Sequence, residues 1–273
     1  MNSDEGNNII SYEGGACRTY DQELIVEEPL AIRIEGEPYS VVMRTPGKEI
    51  FHVAGFCLAE GLVEHPHDFG TIGFCSELDS NVATVTLIPE RRKKIADLLN
   101  RRGFVSQTSC GICGKELIKD LYQILAPIKD EMKISVSQAW ECINLLPEHQ
   151  ELYKTTRAAH GVLLFDSKLK IMSAAEDVGR HNALDKAIGE AFMAGNIANA
   201  KLAVLSSRIS YELVQKAARA ELTFLIGMSR PTGLAVELGR SLNMTLICVK
   251  QKELLVFTGQ ERLNGRCDEK QYG

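Results

Sequence analysis

Apolar residues recur along this chain with two periods, and the change between them divides it. The stretches 24–34 and 39–44 read as extended, separated by the turn-forming run Glu35-Gly36-Glu37-Pro38. Ile50, Val53, Ala54, Cys57, Leu58, Gly61 and Leu62 then fall at helical spacing, which places Cys57 in a core. Residues 82–87 alternate as a strand does. Residues 91–101 suit a charged helix with Ile95, Leu98 and Leu99 inward. These elements predict a small α+β domain over 21–104, preceded by a loose polar tail at 1–20.

The character changes after Gly103. Residues 105–114 are a short run rich in Ser, Thr, Cys and Gly, followed by a helical pattern over 116–125. Ser137 reads as the N-cap of a helix carrying Ala139, Cys142, Ile143 and Leu146 on one face, with Trp140 packed beside them. From 155 onward, short apolar strands alternate with amphipathic helices. Strands are expected at 161–165, just after 166, and at 202–205, 222–226, 245–249 and 254–257. Helices are expected at 182–194, 210–220 and 233–242. This alternation predicts an α/β layer domain with a largely parallel sheet over 105–262, with 263–273 as a second tail.

Composition and charge narrow the function classes. Nearly half of the 273 residues are hydrophobic, which suits a globular protein with a sizeable core. A net charge of −5 argues against a general nucleic-acid binder, and the run Arg91-Arg92-Lys93-Lys94 suits an exposed helix face. No apolar run approaches the ~20 residues of a membrane span. The start of the chain lacks the basic and apolar segments of a signal peptide, so a cytoplasmic protein is expected. Of eight cysteines only Cys110 and Cys113 are closely spaced, which suggests thiols rather than a disulfide framework.

That pair, in Thr-Ser-Cys-Gly-Ile-Cys-Gly-Lys at 108–115, is the first candidate for chemistry. Two cysteines three apart can share a metal, form a disulfide, or act as attacking and resolving thiols. Gly111 and Gly114 leave the sulfurs approachable. A helix beginning near Glu116 would favour thiolate through its dipole. A structural zinc would need further ligands. No second C-x-x-C is present, although His160, His181 or another cysteine would be able to complete a site.

A second cluster occupies 175–186, with Glu176, Asp177, Arg180, His181, Asn182, Asp185 and Lys186 where a strand gives way to a helix. Such a density of charge suits either a self-satisfied ion-pair network or a ligand site at the carboxyl ends of strands. Two more strand-to-helix turns, Ser206-Ser207-Arg208-Ile209-Ser210 and Ser229-Arg230-Pro231-Thr232-Gly233, offer hydroxyls and arginine suited to phosphate. Ser210 and Thr232 are expected to cap their helices whether or not a ligand binds. The chain lacks the G-x-x-x-x-G-K-[ST] pattern of nucleotide-driven motors. His160 reads as a structural histidine, with a role at the site left open.

These motifs resemble the FdhD family of formate dehydrogenase accessory proteins, which act as sulfur carriers. The resemblance is carried by Glu-Glu-Pro-Leu at 27–30, the 108–115 run, Glu-Asp-Val-Gly-Arg-His-Asn-Ala-Leu-Asp-Lys at 176–186, Tyr-Glu-Leu-Val-Gln-Lys at 211–216 and Pro-Thr-Gly-Leu-Ala-Val-Glu-Leu at 231–238. It implies a three-layer α/β/α main domain similar to the cytidine deaminase fold. The deaminase zinc signature is missing here, so deamination is not implied. It further implies sulfur taken from a cysteine desulfurase as a persulfide and passed to the bis(molybdopterin guanine dinucleotide) molybdenum cofactor, for formate dehydrogenase. That cofactor would be a bound substrate rather than a resident group. Cys110 would carry the persulfide and Cys113 would assist.

Cofactor contacts are implied at Val249, Lys250, Gln251, Lys252, Glu253 and Leu254. There lysines stand where family members often have a Gly-Phe-x-Arg-Gly-type segment. Arg180, His181, Ser207, Arg208 and Thr232 join them as the residues suited to a guanine dinucleotide, and Ser206-Ser207-Arg208 replaces a commoner Ser-Gly-Arg. A homodimer is an expectation from the family alone. Two other readings stay open: a non-covalent cofactor chaperone, and a thiol–disulfide oxidoreductase, against which the lack of a thioredoxin-like context counts.

Overall fold

A computed structural model describes residues 8–74, 81–96 and 125–265. The Cys110–Cys113 run and the helix expected at 116–125 lie outside the described residues, except for Leu125 itself. Within the segment expected to be a loose tail, β1 (Asn8–Glu13) and β2 (Ala16–Asp21) pair as an antiparallel hairpin. Its turn is Gly14-Gly15, both at positive φ, the backbone a two-residue hairpin turn demands. The next two expected strands form as β3 (Glu28–Ile34) and β4 (Glu37–Arg44). With β5 (Phe69–Phe74) and β6 (Val82–Leu87) they make a four-stranded sheet in the order β4-β3-β6-β5. Strand β5 was not evident from pattern, because its Gly70, Thr71 and Gly73 interrupt the apolar alternation.

Helix α1 (Glu49–Ala59) buries its whole second half, Cys57 included. The charged helix expected at 91–101 begins at Pro89 as α2 (Pro89–Lys94). Its Arg91 is not on an exposed face. It is 5% exposed, donates to the Leu62 and Gly61 carbonyls and pairs with Glu64 at 2.9 Å. A guanidinium that satisfies two backbone carbonyls just past a preceding helix and pairs with a carboxylate outweighs its preference for water.

The remainder contains β7 (Ile134–Ser135), α3 (Val136–Leu145), α4 (Glu151–Thr156), β8 (His160–Asp166), β9 (Ile171–Asp177) and α5 (Arg180–Met193). It continues with β10 (Ala200–Arg208), α6 (Tyr211–Arg219), β11 (Phe224–Ser229), α7 (Gly233–Ser241), β12 (Thr245–Lys250), β13 (Glu253–Thr258) and β14 (Leu263–Asn264). The N-cap of α3 is Ser135, not Ser137. Its hydroxyl accepts from the Gln138 amide while Gln138 reaches back to the Ser135 amide, a reciprocal capping box.

Six strands make one sheet in the order β13-β12-β11-β10-β8-β9. Only β10–β11 and β11–β12 pair in parallel; β8–β9, β8–β10 and β12–β13 are antiparallel. The sheet is therefore mixed rather than largely parallel. The reason lies in the connections. Residues 167–170 and Gln251-Lys252 are too short for a crossover, so each returns the chain as a hairpin.

Apolar groups cover both faces of this sheet. On one face α5, α6 and α7 join α1 and the four-stranded sheet in a single buried cluster containing Leu164, Leu184, Leu205, Leu213 and Leu225. On the other, α3 packs Ala139, Cys142, Ile143 and Leu146 onto Leu163, Phe165, Val204 and Ile226, with Trp140 partly buried beside them. The result is a mixed α/β architecture with helices on both sides of the main sheet. Helices α1 and α5 meet at Gly55 and Gly189, where an added Cβ would strike the facing backbone of Asp185 and of Phe51. No described helix is long and apolar enough to cross a membrane.

Candidate functional site

The parallel strands β10, β11 and β12 all end at one edge of the main sheet, joined there by the end of β9 and the starts of β8 and β13. Helices α5, α6 and α7 begin at that same edge, so their unpaired amides and positive dipole ends face it together. Every sequence-proposed contact among the described residues lies along this edge, from Arg180 and His181 through Ser207, Arg208 and Thr232 to 249–254.

The 176–186 run separates into two kinds of residue. Glu176 accepts from the Leu152 and Tyr153 amides at 2.8 and 2.9 Å and so caps α4. Asp177, fully buried, accepts from the Thr45 and Gly179 amides and the Asn182 side chain, and pairs with buried Lys186 at 2.7 Å. Lys186 also donates to the Thr45 carbonyl, and Asn182 to the Met43 carbonyl. These bonds fasten the end of β4 to the main sheet. Asp185, also buried, pairs with Lys216 of α6 at 2.7 Å, while burial pushes its carboxyl above the usual range. All five are framework groups.

Arg180 and His181 differ. Neither is fully buried, and both stand on the first turn of α5 at the sheet edge. Among the described residues the Arg180 guanidinium has no hydrogen bond or ion pair, and its Nε is buried without a partner. Burial and the neighbouring Arg208 charge disfavour its cationic form. Arg208 is exposed and likewise makes no ion pair among the described residues. Two guanidiniums held near one another and left uncompensated suit an anion with several oxygens. His181 places Nε2 2.9 Å from Glu212 and 3.2 Å from the Ser210 hydroxyl. That contact holds the Glu212 carboxyl below its ordinary range.

The remaining proposed residues are less uniform. Thr232 caps α7 by accepting from the Ala235 amide at 3.3 Å, as expected, and its own amide donates to the Ile209 carbonyl, so the two turns adjoin. Ser210 makes no side-chain cap; its hydroxyl turns to His181 instead. Ser207 is buried and donates to the Arg208 carbonyl, which takes its hydroxyl out of the crevice. Ser206 is the hydroxyl that faces the site, accepting from the Gly161 amide and lying 3.3 Å from His160 Nδ1. Burial, with Arg180 and His181 nearby, lowers the His160 pKa and favours the neutral ring.

Lys250, Gln251, Lys252 and Glu253 form the exposed tip of the β12–β13 hairpin, with Gln251 at φ 56°. A side chain there costs roughly 1–2 kcal/mol that glycine avoids. Val249 and Leu254, at the base of the tip, pack partly buried against the α3 side of the sheet. Sequence reasoning missed Glu212, and within the 206–210 turn it singled out Ser207 where Ser206 is the hydroxyl that faces the site. Glu212 stands one position inside α6, where an acidic residue is ordinary first-turn chemistry and gives no separate signal.

Comparison with known proteins bears on the chain as a whole. The model of the FdhD/NarQ family matches residues 25–264. The sulfur carrier protein FdhD of Xanthomonas campestris pv. campestris (strain B100) is 32% identical over 257 residues, covering 94% of this chain and 91% of that protein. The sulfur carrier protein FdhD of Mycobacterium tuberculosis (strain ATCC 25618 / H37Rv) is 34% identical over 258 residues, covering 90% and 93%. A crystal structure described as a formate dehydrogenase accessory protein from Desulfotalea psychrophila superposes with a TM-score of 0.75, covering 95% of this chain and 98% of the other. At 21% identity that superposition speaks for the fold alone. A family match across nearly all the described chain, joined by relatives about one-third identical over nine-tenths of it, is decisive: the chain belongs to the FdhD/NarQ family.

Proposed function

We propose that this chain is a sulfur carrier that serves formate dehydrogenase maturation, with Cys110 as the persulfide-bearing group. The observation that carries the reading is the Cys110–Cys113 pair within a chain matched by the family over 25–264. The Cys110 thiolate attacks the terminal sulfur of a cysteine persulfide on a desulfurase. The donor's S–S bond breaks, its cysteine leaves as a thiolate, and Cys110 becomes the persulfide. The Cys113 thiolate then attacks the inner sulfur of that persulfide. A Cys110–Cys113 disulfide forms and the terminal sulfur leaves as sulfide, a soft ligand suited to molybdenum. A dithiol reductant restores the pair.

The recipient in this reading is the bis(molybdopterin guanine dinucleotide) cofactor, held as substrate along the edge that carries Arg180, His181, Arg208 and Thr232. Support comes from the uncompensated Arg180 and Arg208 and from three helix N-termini converging there, a setting that favours phosphate oxygens. The hairpin tip at 250–253 adds Lys250 and Lys252. Action in the cytoplasm as a homodimer belongs to the same proposal.

The test is intact mass after incubation with a cysteine desulfurase and cysteine. Wild type should gain one sulfur atom that a reductant removes, and Cys110→Ala should not. No gain on wild type, or an equal gain after Cys110→Ala and Cys113→Ala together, overturns the carrier. The paired arginines favour one second reading, delivery of the cofactor without covalent sulfur. Guanine-nucleotide binding by a wild type that gains no sulfur would select it.

A further inference from the structure

The β1–β2 hairpin stands apart from the body of the protein. Among the described residues its strands pair only with each other, and all six residues of β2 and four of the six in β1 are exposed. The Gln22 side-chain amide ties its base to the body, donating to the Thr155 carbonyl of α4 at 3.0 Å. A lone two-stranded hairpin is marginal in water, and a third strand or a packed face is what makes one stable. The hairpin precedes residues 25–264, the span that the family matches, so family membership does not account for it.

Its two free edges differ. Strand β2 carries Arg18 and Asp21. Strand β1, Asn-Ile-Ile-Ser-Tyr-Glu, has none of the devices that keep an edge from pairing: no lysine, no proline, and no bulge in its register with β2. Its one charge is Glu13, beside the turn. The turn also sets which backbone groups are free. Two residues close on the Glu13–Ala16 pair, so Ile9, Ser11 and Glu13 direct their N–H and C=O groups toward β2. Asn8, Ile10 and Tyr12 direct theirs outward. Ile10 and Tyr12 share one face of the hairpin and are 57% and 77% exposed.

We propose that β1 is a self-association edge, pairing antiparallel with β1 of a second copy about a two-fold axis at Ser11. This register joins the free groups: Ile10 lies opposite the partner's Tyr12, twice by symmetry, and each such pair exchanges backbone hydrogen bonds. A β-branched residue facing an aromatic is a favourable cross-strand pair. Ile9 meets the partner's Glu13, which leaves the two carboxylates at opposite ends of the pairing, so no like charges meet. Along β2, a two-fold axis at Arg18 would set that guanidinium against its own copy. The product is a four-stranded sheet in the order β2-β1-β1-β2, enough strands to be stable where the lone hairpin is not. One six-residue edge buries less than the roughly 800 Å² a side of a standard interface, so the association is reversible and depends on concentration.

Sedimentation velocity of the full chain over a range of concentrations reads the association. Wild type should show a step that Ile10→Pro removes. Proline at that position blocks the outward edge and spares the bonds between β1 and β2, so thermal melting should not change. A cysteine then fixes the register. In a Cys17→Ser background, Ser11→Cys sets two sulfurs across the axis at a non-hydrogen-bonded pair, where Cα atoms lie about 4.5 Å apart, within disulfide reach. With oxidised glutathione it should form covalent dimer beyond that of Cys17→Ser alone, whereas Thr19→Cys, one strand further from the axis, should not. Equal association of wild type and Ile10→Pro, or crosslinking at Thr19→Cys but not at Ser11→Cys, overturns the proposal. Sulfur loading at Cys110 is read separately by mass, so failure here leaves the carrier reading untouched.

Discussion

Helix α5 carries two sets of charges that sit within two turns of each other and behave oppositely. Behind it, Asp177 meets Lys186 and Asp185 meets Lys216, each carboxylate paired at 2.7 Å and each at most 3% exposed. At its N-terminus, Arg180 and neighbouring Arg208 face the crevice with no ion pair among the described residues. One run of sequence thus supplies framework and site together. The difference lies in satisfaction: a charge that finds its partners inside the protein holds the fold, and a charge left over is available to a ligand.

The most damaging way to break this comparison is to unbalance the satisfied side. Lys186→Met leaves the Asp177 carboxylate fully buried without its cation and removes the tie to the Thr45 carbonyl. A loss of about 3–5 kcal/mol is expected in chemical denaturation. Adding Asp177→Asn should restore much of it, because the uncompensated charge is the larger part of the cost. A Lys186→Met protein as stable as wild type would show that the pair is not what fastens β4 to the sheet.

The next effect is set by acid. His52 of α1 is fully buried beside Lys186, Lys216 and Arg44, and burial first, then those cations, lower its pKa to about 3. Its unfolded value is near 6.5, so the unfolded chain binds the extra proton first. The contribution is complete above about pH 6.5 and is lost as pH falls toward 3, at up to about 1.4 kcal/mol per pH unit. Between pH 7 and 5 the unfolding free energy should fall for wild type and fall less steeply for His52→Leu. Parallel slopes would remove His52 from the account.

How much of this was legible beforehand follows the range of the interactions. The strands and helices from 160 to 258 are set by local periodicity, and most form within a residue or two of expectation. The partners of Asp177 are not local. Thr45 lies 132 residues away, so nothing in the 176–186 run could say which of its charges were already satisfied. Arg91 and Ser135 failed for a related reason, since a basic run and a Ser-x-Ser segment each leave open which residue turns inward. Strand direction was misread because hairpins and crossovers leave the same apolar strand pattern. Gln150 offered no signal, being a polar residue in a polar connection whose side chain lies buried against Gly161 of β8.

The smallest effect sharpens the comparison on its open side. Glu212 is the carboxylate that meets His181, at 2.9 Å, and its charge also acts on Arg180. Its side chain is 64% exposed, so its pairing contributes little to stability, and Glu212→Gln should leave the melting temperature nearly unchanged. Its charge nevertheless opposes an anion arriving at Arg180 and Arg208. Removing it should tighten pyrophosphate binding by about two- to threefold at low salt, and the gain should fade as salt screens the edge. Tightening is the informative sign. A framework carboxylate would weaken the protein when removed, and a ligand-holding one would weaken binding. Only a charge that moderates an otherwise unbalanced basic crevice improves binding by its loss, and weaker pyrophosphate binding in Glu212→Gln would mean that His181, held by this carboxylate, positions the anion.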